Sequence, residues 1–132
     1  MRGRKPKTLL TDASPIAADR APPEWLPKEA RSEWRRVLPI LVDRGVLSEA
    51  DLATFANYCA AVGLTIRAQK QLDAEGLTFD SPTGRKRHPA AGIVNEAMTQ
   101  ARQLAAELGL TPVSRARPAI REGSKDETFM DL

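Results

Sequence analysis

The stretch Gly76-Leu77-Thr78-Phe79-Asp80-Ser81-Pro82-Thr83-Gly84-Arg85-Lys86-Arg87-His88-Pro89 decides how this chain folds. Gly76 suits the position after a helix end, where the backbone often enters left-handed geometry. Leu77, Thr78 and Phe79 have strand character, and Asp80 to Gly84 is rich in turn formers. Arg85, Lys86, Arg87 and His88 form the densest basic run outside the N-terminus. Pro89 fits the first position of a helix, where its missing N–H would have no partner in any case. The stretch reads as the end of one helix, a short basic hairpin and the start of the next helix.

Helical patterns flank it on both sides. Upstream, Ser48-Glu49-Ala50-Asp51 has the form of a capping box, and its early acids suit the helix dipole. Leu52, Phe55, Cys59, Val62 and Ile66 then recur at spacings of three and four, so Ser48 to Glu75 is expected to form a helix ~42 Å long. Gly63 weakens its middle by up to ~1 kcal/mol relative to Ala and marks a close helix contact. Downstream, Pro89 to Leu108 carries Ile93, Ala97, Ala101, Leu104 and Leu108 at a spacing near 3.5, as in an antiparallel coiled-coil pair or a ring of helices. Gly109 ends that helix, and Thr111-Pro112 restarts a short helical turn leading to Ser114-Arg115-Ala116-Arg117-Pro118. Nearer the N-terminus, Glu24-Trp25-Leu26-Pro27 opens a first helix with a core stripe of Ala30, Trp34, Leu38 and Leu41. Pro39 should kink this helix near Arg35 and Arg36, and Gly45 ends it.

The 132 residues make one domain, with 42% apolar and only 5% aromatic residues and with Ala and Leu prominent. That composition favours an all-α fold: helical hairpins, with a long antiparallel helix pair joined by a short basic β-hairpin. Three segments are expected, namely a disordered basic arm over 1–23, a helical domain over 24–117 and a disordered acidic tail over 118–132. Long helices with so few large aromatics call for partner subunits to cover their apolar faces. The single Cys59 lies in an apolar run, as a buried thiol would. No apolar run approaches the ~20 residues of a membrane span, and no signal-peptide core follows the basic N-terminus, so no membrane partner and a cytoplasmic location are expected.

The net charge of +3 is unevenly distributed. In residues 1–20, Arg2, Arg4, Lys5, Lys7 and Arg20 outweigh Asp12 and Asp19. In the hairpin, Arg85, Lys86 and Arg87 outweigh Asp80. The tail reverses the sign, with Glu122, Asp126, Glu127 and Asp131 against Arg121 and Lys125. Arg2-Gly3-Arg4-Lys5-Pro6 resembles an AT-hook, in which Gly admits close backbone approach and flanking Arg side chains enter a narrow minor groove. Charge alone therefore nominates Arg2, Arg4, Lys5, Lys7, Arg85, Lys86, Arg87, Arg115 and Arg117 as DNA contacts. Lys28, Arg31 and Arg35 share a helix face and add Arg31 and Arg35 to that set, although interleaved Glu29, Glu33 and Arg36 also fit an ordinary salt-bridged surface. A helix-turn-helix is disfavoured, because the second helix begins with Glu49 and Asp51 and has no cation before Arg67.

Catalysis finds little support. The only histidine, His88, stands beside Pro89 as a helix-start or loop-packing residue, and no Cys or carboxylate cluster has metal-ligand spacing. The Gly84-Arg85-Lys86-Arg87 run lacks the spacing and hydroxyl of a phosphate-binding P-loop. No catalytic residue, metal or cofactor is expected.

Several pieces resemble, in order over residues 1–118, a family of phage terminase small subunits. They are Arg2 to Pro6, Pro22-Pro23-Glu24-Trp25-Leu26, Glu33-Trp34-Arg35-Arg36, Leu47-Ser48-Glu49-Ala50-Asp51, Gly84 with the basic residues running into His88-Pro89, and Leu110 to Arg117. The resemblance implies a non-enzymatic subunit that binds double-stranded viral DNA. It would assemble as a ring-like homo-oligomer and deliver the genome to a large terminase subunit holding the ATPase and nuclease. By the same analogy Phe129, Met130 and Leu132, apolar residues among acids, are expected to bind the large subunit. The competing readings are a small dimeric DNA-binding regulator and an assembly adaptor that does not touch DNA.

Overall fold

The computed structural model describes residues 15–115, and the fold is mostly helical with one small two-stranded sheet. Helix α1 spans Lys28–Arg44, with Pro27 in extended geometry at its N-cap, and runs through Pro39. A 3₁₀ turn at Glu49–Asp51 leads into α2, Leu52–Glu75. The Asp51 carboxylate accepts from both the Ser48 N–H and the Ser48 hydroxyl at 2.9 Å, which closes the expected box. Strands β1, Thr78–Ser81, and β2, Gly84–Arg87, form the hairpin, and α3 spans Pro89–Glu107. A last helical turn covers residues 112–115.

Helices α1 and α3 both pack on α2, each antiparallel to it. Ala30 near the start of α1 meets Gly63 of α2, while Leu41 near its end joins the core around Phe55. Ala90 and Val94 at the start of α3 pack on Ala68 and Leu72, and Leu104 and Leu108 return to the base of α2. Two clusters result. The main one, at the base, holds Leu26, Trp34, Val37, Leu38, Leu41, Phe55 and Cys59; the smaller one lies under the hairpin and consists of Ala68, Leu72, Ala90 and Val94. The Trp34 and Phe55 rings stack obliquely at 4.7 Å, a contact worth about 0.5–1.5 kcal/mol beyond its buried area. Burial pushes the Cys59 thiol up to about 12, so it stays protonated and inert at neutral pH.

Three expectations need correction. Residues 15–23 were expected in a disordered arm, yet Ile16 enters the main core and the Arg20 carbonyl accepts from Trp34 Nε1–H at 2.8 Å. Prolines exclude helix from this segment but not burial. Ile93 and Ile66 were placed on core stripes, and both are more than a third exposed; Val94 takes the inward position on α3. A 3.5 spacing counted from Ile93 and one counted from Ala90 both pass through Ala97, Ala101, Leu104 and Leu108, so the sequence alone did not separate them. Glu33 and Arg36 were grouped with surface salt bridges, whereas Glu33 is only 8% exposed. Its carboxylate takes a two-pronged contact from Arg36 at 2.8 and 2.7 Å and a short hydrogen bond from the Tyr58 hydroxyl. Burial alone would raise the Glu33 carboxyl, but the Arg36 and Tyr58 hydrogen bonds together outweigh it and hold the group below its ordinary range.

Two tests follow from this packing. A β-carbon at Gly63 would sit 2.8 Å from the Ala30 backbone nitrogen. Helix propensity favours Gly63→Ala by up to ~1 kcal/mol. The clash is with backbone and not with a flexible side chain, so the variant should nevertheless lose about 1–3 kcal/mol in urea unfolding. A more stable variant would show that α1 moves away freely. Because Glu33 titrates lower when folded, its contribution is fully present above its unfolded value of 4.5 and is lost as pH falls through the folded value. Glu33→Gln should lower stability at pH 7 by about 1–3 kcal/mol. It should also flatten the loss of stability on acidification, and an unchanged acid slope would remove Glu33 as a cause.

Candidate nucleic-acid interface

The hairpin begins where α2 stops. Gly76 turns the chain with φ of 90°, a region open to glycine and strained for other residues, and its N–H still bonds the Leu72 carbonyl at 2.7 Å. The strands pair antiparallel in the register Thr78 with Arg87, Phe79 with Lys86, Asp80 with Arg85 and Ser81 with Gly84. Only Pro82 and Thr83 lie between the last pair, and Gly84 takes φ of 124° to return the chain. The Ser81 hydroxyl donates to the Gly84 carbonyl at 2.7 Å across this turn. At the open end the His88 N–H donates to the Leu77 carbonyl at 2.8 Å.

His88 anchors the hairpin to both long helices. It is 8% exposed, and its Nδ1 accepts from the Ala90 N–H at 3.0 Å, which caps α3. A backbone N–H can only donate, so Nδ1 carries no proton and Nε2 does. Nε2–H then donates to the Glu75 carboxylate at 2.7 Å, on the last residue of α2. That bond holds the Glu75 carboxyl below the usual carboxylate range. His88 thus joins the end of α2 and the start of α3 through its ring and the base of the hairpin through its backbone N–H.

Strand alternation divides the hairpin into two faces. Thr78, Asp80, Arg85 and Arg87 share one. On it Arg85 donates to the Thr78 hydroxyl and the Asp80 carboxylate, each at 2.9 Å, so much of its charge is answered locally. Phe79 and Lys86 share the other, with Leu77 in line; Leu77 is 67% and Phe79 40% exposed. Lys86 and Arg87 are exposed and have no ion pair among the described residues.

The other nominated cations do not gather around this hairpin. Arg31 is half-buried and donates to the carbonyls of Leu26 and Glu24 at 2.8 Å, pinning the segment that enters α1. No residue pattern signals this role, because the acceptors are backbone atoms. Arg35 is exposed on α1 beside a groove lined by Asp19, Arg20, Pro22 and Trp34. Arg115 is exposed at the base, beyond Leu108 and Leu110, a full helix length from the hairpin. Arg2, Arg4, Lys5, Lys7 and Arg117 lie outside the described residues, as do Phe129, Met130 and Leu132. Arg20 pairs with Glu49, which ties the N-terminal segment to the base of α2. Among the described residues no three His, Cys, Asp or Glu side chains come together as a metal site, and no helix is long and apolar enough to cross a membrane.

A family model described as phage terminase, small subunit, matches residues 30–125, nearly the whole helical unit and the hairpin. The chain belongs to the phage terminase small-subunit family. Its members serve phage DNA packaging and are generally the non-catalytic subunit. The match begins at Ala30, so the first two sequence pieces that carried the resemblance fall before it. It also runs past Pro118 to Lys125, beyond the last of those pieces. No curated protein and no solved structure matches the chain.

His88→Ala removes the α3 cap and the bond to Glu75 together. It should lower stability by about 0.5–2 kcal/mol, the usual range for losing an N-cap. His88→Asn, which restores a capping oxygen but is too short to reach Glu75, should recover part of this in urea unfolding. Equal stability of all three proteins would mean that the imidazole does not anchor the hairpin.

Proposed function

We propose that this small subunit binds double-stranded phage DNA through the β1–β2 hairpin, with the basic residues 2–7, the exposed Arg35 and Arg115, and Arg117 as further phosphate contacts. It does so as a ring-like homo-oligomer that passes the genome to the large terminase subunit in the host cytoplasm. The observation that carries the reading is the solvent-facing placement of Lys86 and Arg87, with no ion pair among the described residues, on a hairpin whose base is anchored by His88. Cations held this way meet phosphates without first breaking a salt bridge or ordering a loop. Leu64, Ile66, Ile93 and Met98 stay exposed along the α2–α3 pair, which supports burial against other copies. Phe129, Met130 and Leu132 remain the proposed contact with the large subunit.

The local geometry ranks the hairpin cations. Lys86→Ala and Arg87→Ala should each weaken duplex binding more than Arg85→Ala, whose guanidinium already faces Asp80. Asp80→Asn should strengthen binding by releasing Arg85. With all three cations replaced by Ala, the slope of log affinity against log salt should shrink by about two to three, at ~0.9 per phosphate lost. Native mass measurement of the same samples should give one closed species larger than a dimer. Unchanged affinity and salt slope in the triple variant would overturn the DNA reading, and a monomer at micromolar concentration the ring.

A further inference from the structure

The hairpin face that carries Lys86 offers more than a phosphate uses. Leu77 and Phe79 are among the exposed large apolar side chains, and they flank the exposed ammonium of Lys86, with Arg87 next along the strand. A phosphate gains nothing from Leu77. An apolar pair beside a lysine with no ion pair among the described residues fits instead a peptide in which apolar side chains lie among carboxylates. This chain contains one, Asp126-Glu127-Thr128-Phe129-Met130-Asp131-Leu132. We propose that residues 126–132 dock on the Leu77, Phe79 and Lys86 face of the hairpin and compete there with DNA.

Reach and charge both support this occupant. The last described residue, Arg115, lies at the base, and α2, 24 residues long, separates base from hairpin by ~36 Å at ~1.5 Å per residue. About fourteen residues connect Arg115 to Phe129 and span up to ~50 Å at ~3.6 Å each, so a protomer's own segment reaches its own hairpin. An apolar groove of about 470 Å³ beside Trp25, Leu64 and Leu104 is the poorer host. Its single charged lining residue is Glu107, of the same sign as the segment's acids. The carboxylates favour the hairpin, and the apolar residues favour the face of Leu77 and Phe79, where an occupant would also cover Lys86.

The inference rests on the reading that the hairpin binds DNA, and it adds a regulatory consequence. The segment proposed to engage the large subunit would shield the hairpin until that subunit takes it up. DNA capture and large-subunit binding would then be coupled through one stretch of chain.

Full-length protein carrying Phe129→Ser and Leu132→Ser, which leaves the net charge unchanged, should bind a labelled duplex about three- to tenfold tighter at low salt. That is the release expected of a weak tethered competitor at millimolar effective concentration. Phe79→Ser should give a similar gain, and combining it with the tail changes should add nothing further. A photo-crosslinking amino acid in place of Met130 should attach to peptides containing residues 77–87, and excess duplex should suppress the product. Unchanged DNA affinity in the Phe129→Ser, Leu132→Ser protein would overturn the competition. Crosslinks to the groove near Trp25, or to another copy's helices, would overturn the docking site. If alanines at Arg85, Lys86 and Arg87 leave DNA binding intact while the crosslink still maps to the hairpin, the DNA reading fails and the docking stands without it.

Discussion

No β-carbon fits between α1 and α2 where Ala30 meets Gly63, and that close approach sets the position of everything packed at the base. With the backbones this near, one turn along α1 brings Glu33 under the Tyr58 hydroxyl and Trp34 against Phe55. The indole in turn holds the Arg20 carbonyl, and Arg20 holds Glu49 at the start of α2. A buried carboxylate is tolerated in this core because its oxygens are answered by a guanidinium fork and a phenol. Unpaired, it would be among the most unfavourable groups in the molecule.

The charged side chains fall into two kinds of work. Arg31, Arg36, Arg20 and Arg44 are tied to carbonyls or carboxylates and close the fold; Arg44, for example, donates to the Gly109 carbonyl and joins the ends of α1 and α3. Lys86 and Arg87 have no such duty. The distinction separates structural cations from those open to a partner more sharply than the net charge of +3 does.

Much of this organisation was legible in the residues. Turn formers between Gly76 and Pro89 located the hairpin, and Ser48 with Asp51 located the start of the second long helix. Those signals are local, acting within a few positions through caps, turns and backbone geometry. What escaped was set by tertiary partners. Whether Ile93 or Val94 faces α2 depends on the rotation of α3, which small residues at Ala90 and Ala97 fix by admitting close packing. That Arg31 serves backbone carbonyls, and that Ile16 is buried within a proline-rich segment, follows from chain paths with no sequence period. The candidate site was legible as a run of charge, but the local neutralisation of Arg85 required the strand register.

The separation of the small cluster from the main core bears on how the two ends of the molecule move. The hairpin end rests on Ala68, Leu72, Ala90 and Val94, side chains that exclude far less water than the aromatic base. Openings confined to that end break few contacts, so they should recur much more often than global unfolding and leave the base intact. The helix tips are insulated from the Glu33 network by this thinness. The protein therefore has a stiff foot and a compliant head, and the head bears the cations. A tip that yields at low free energy can follow a curved or uneven surface, while the base keeps a fixed shape.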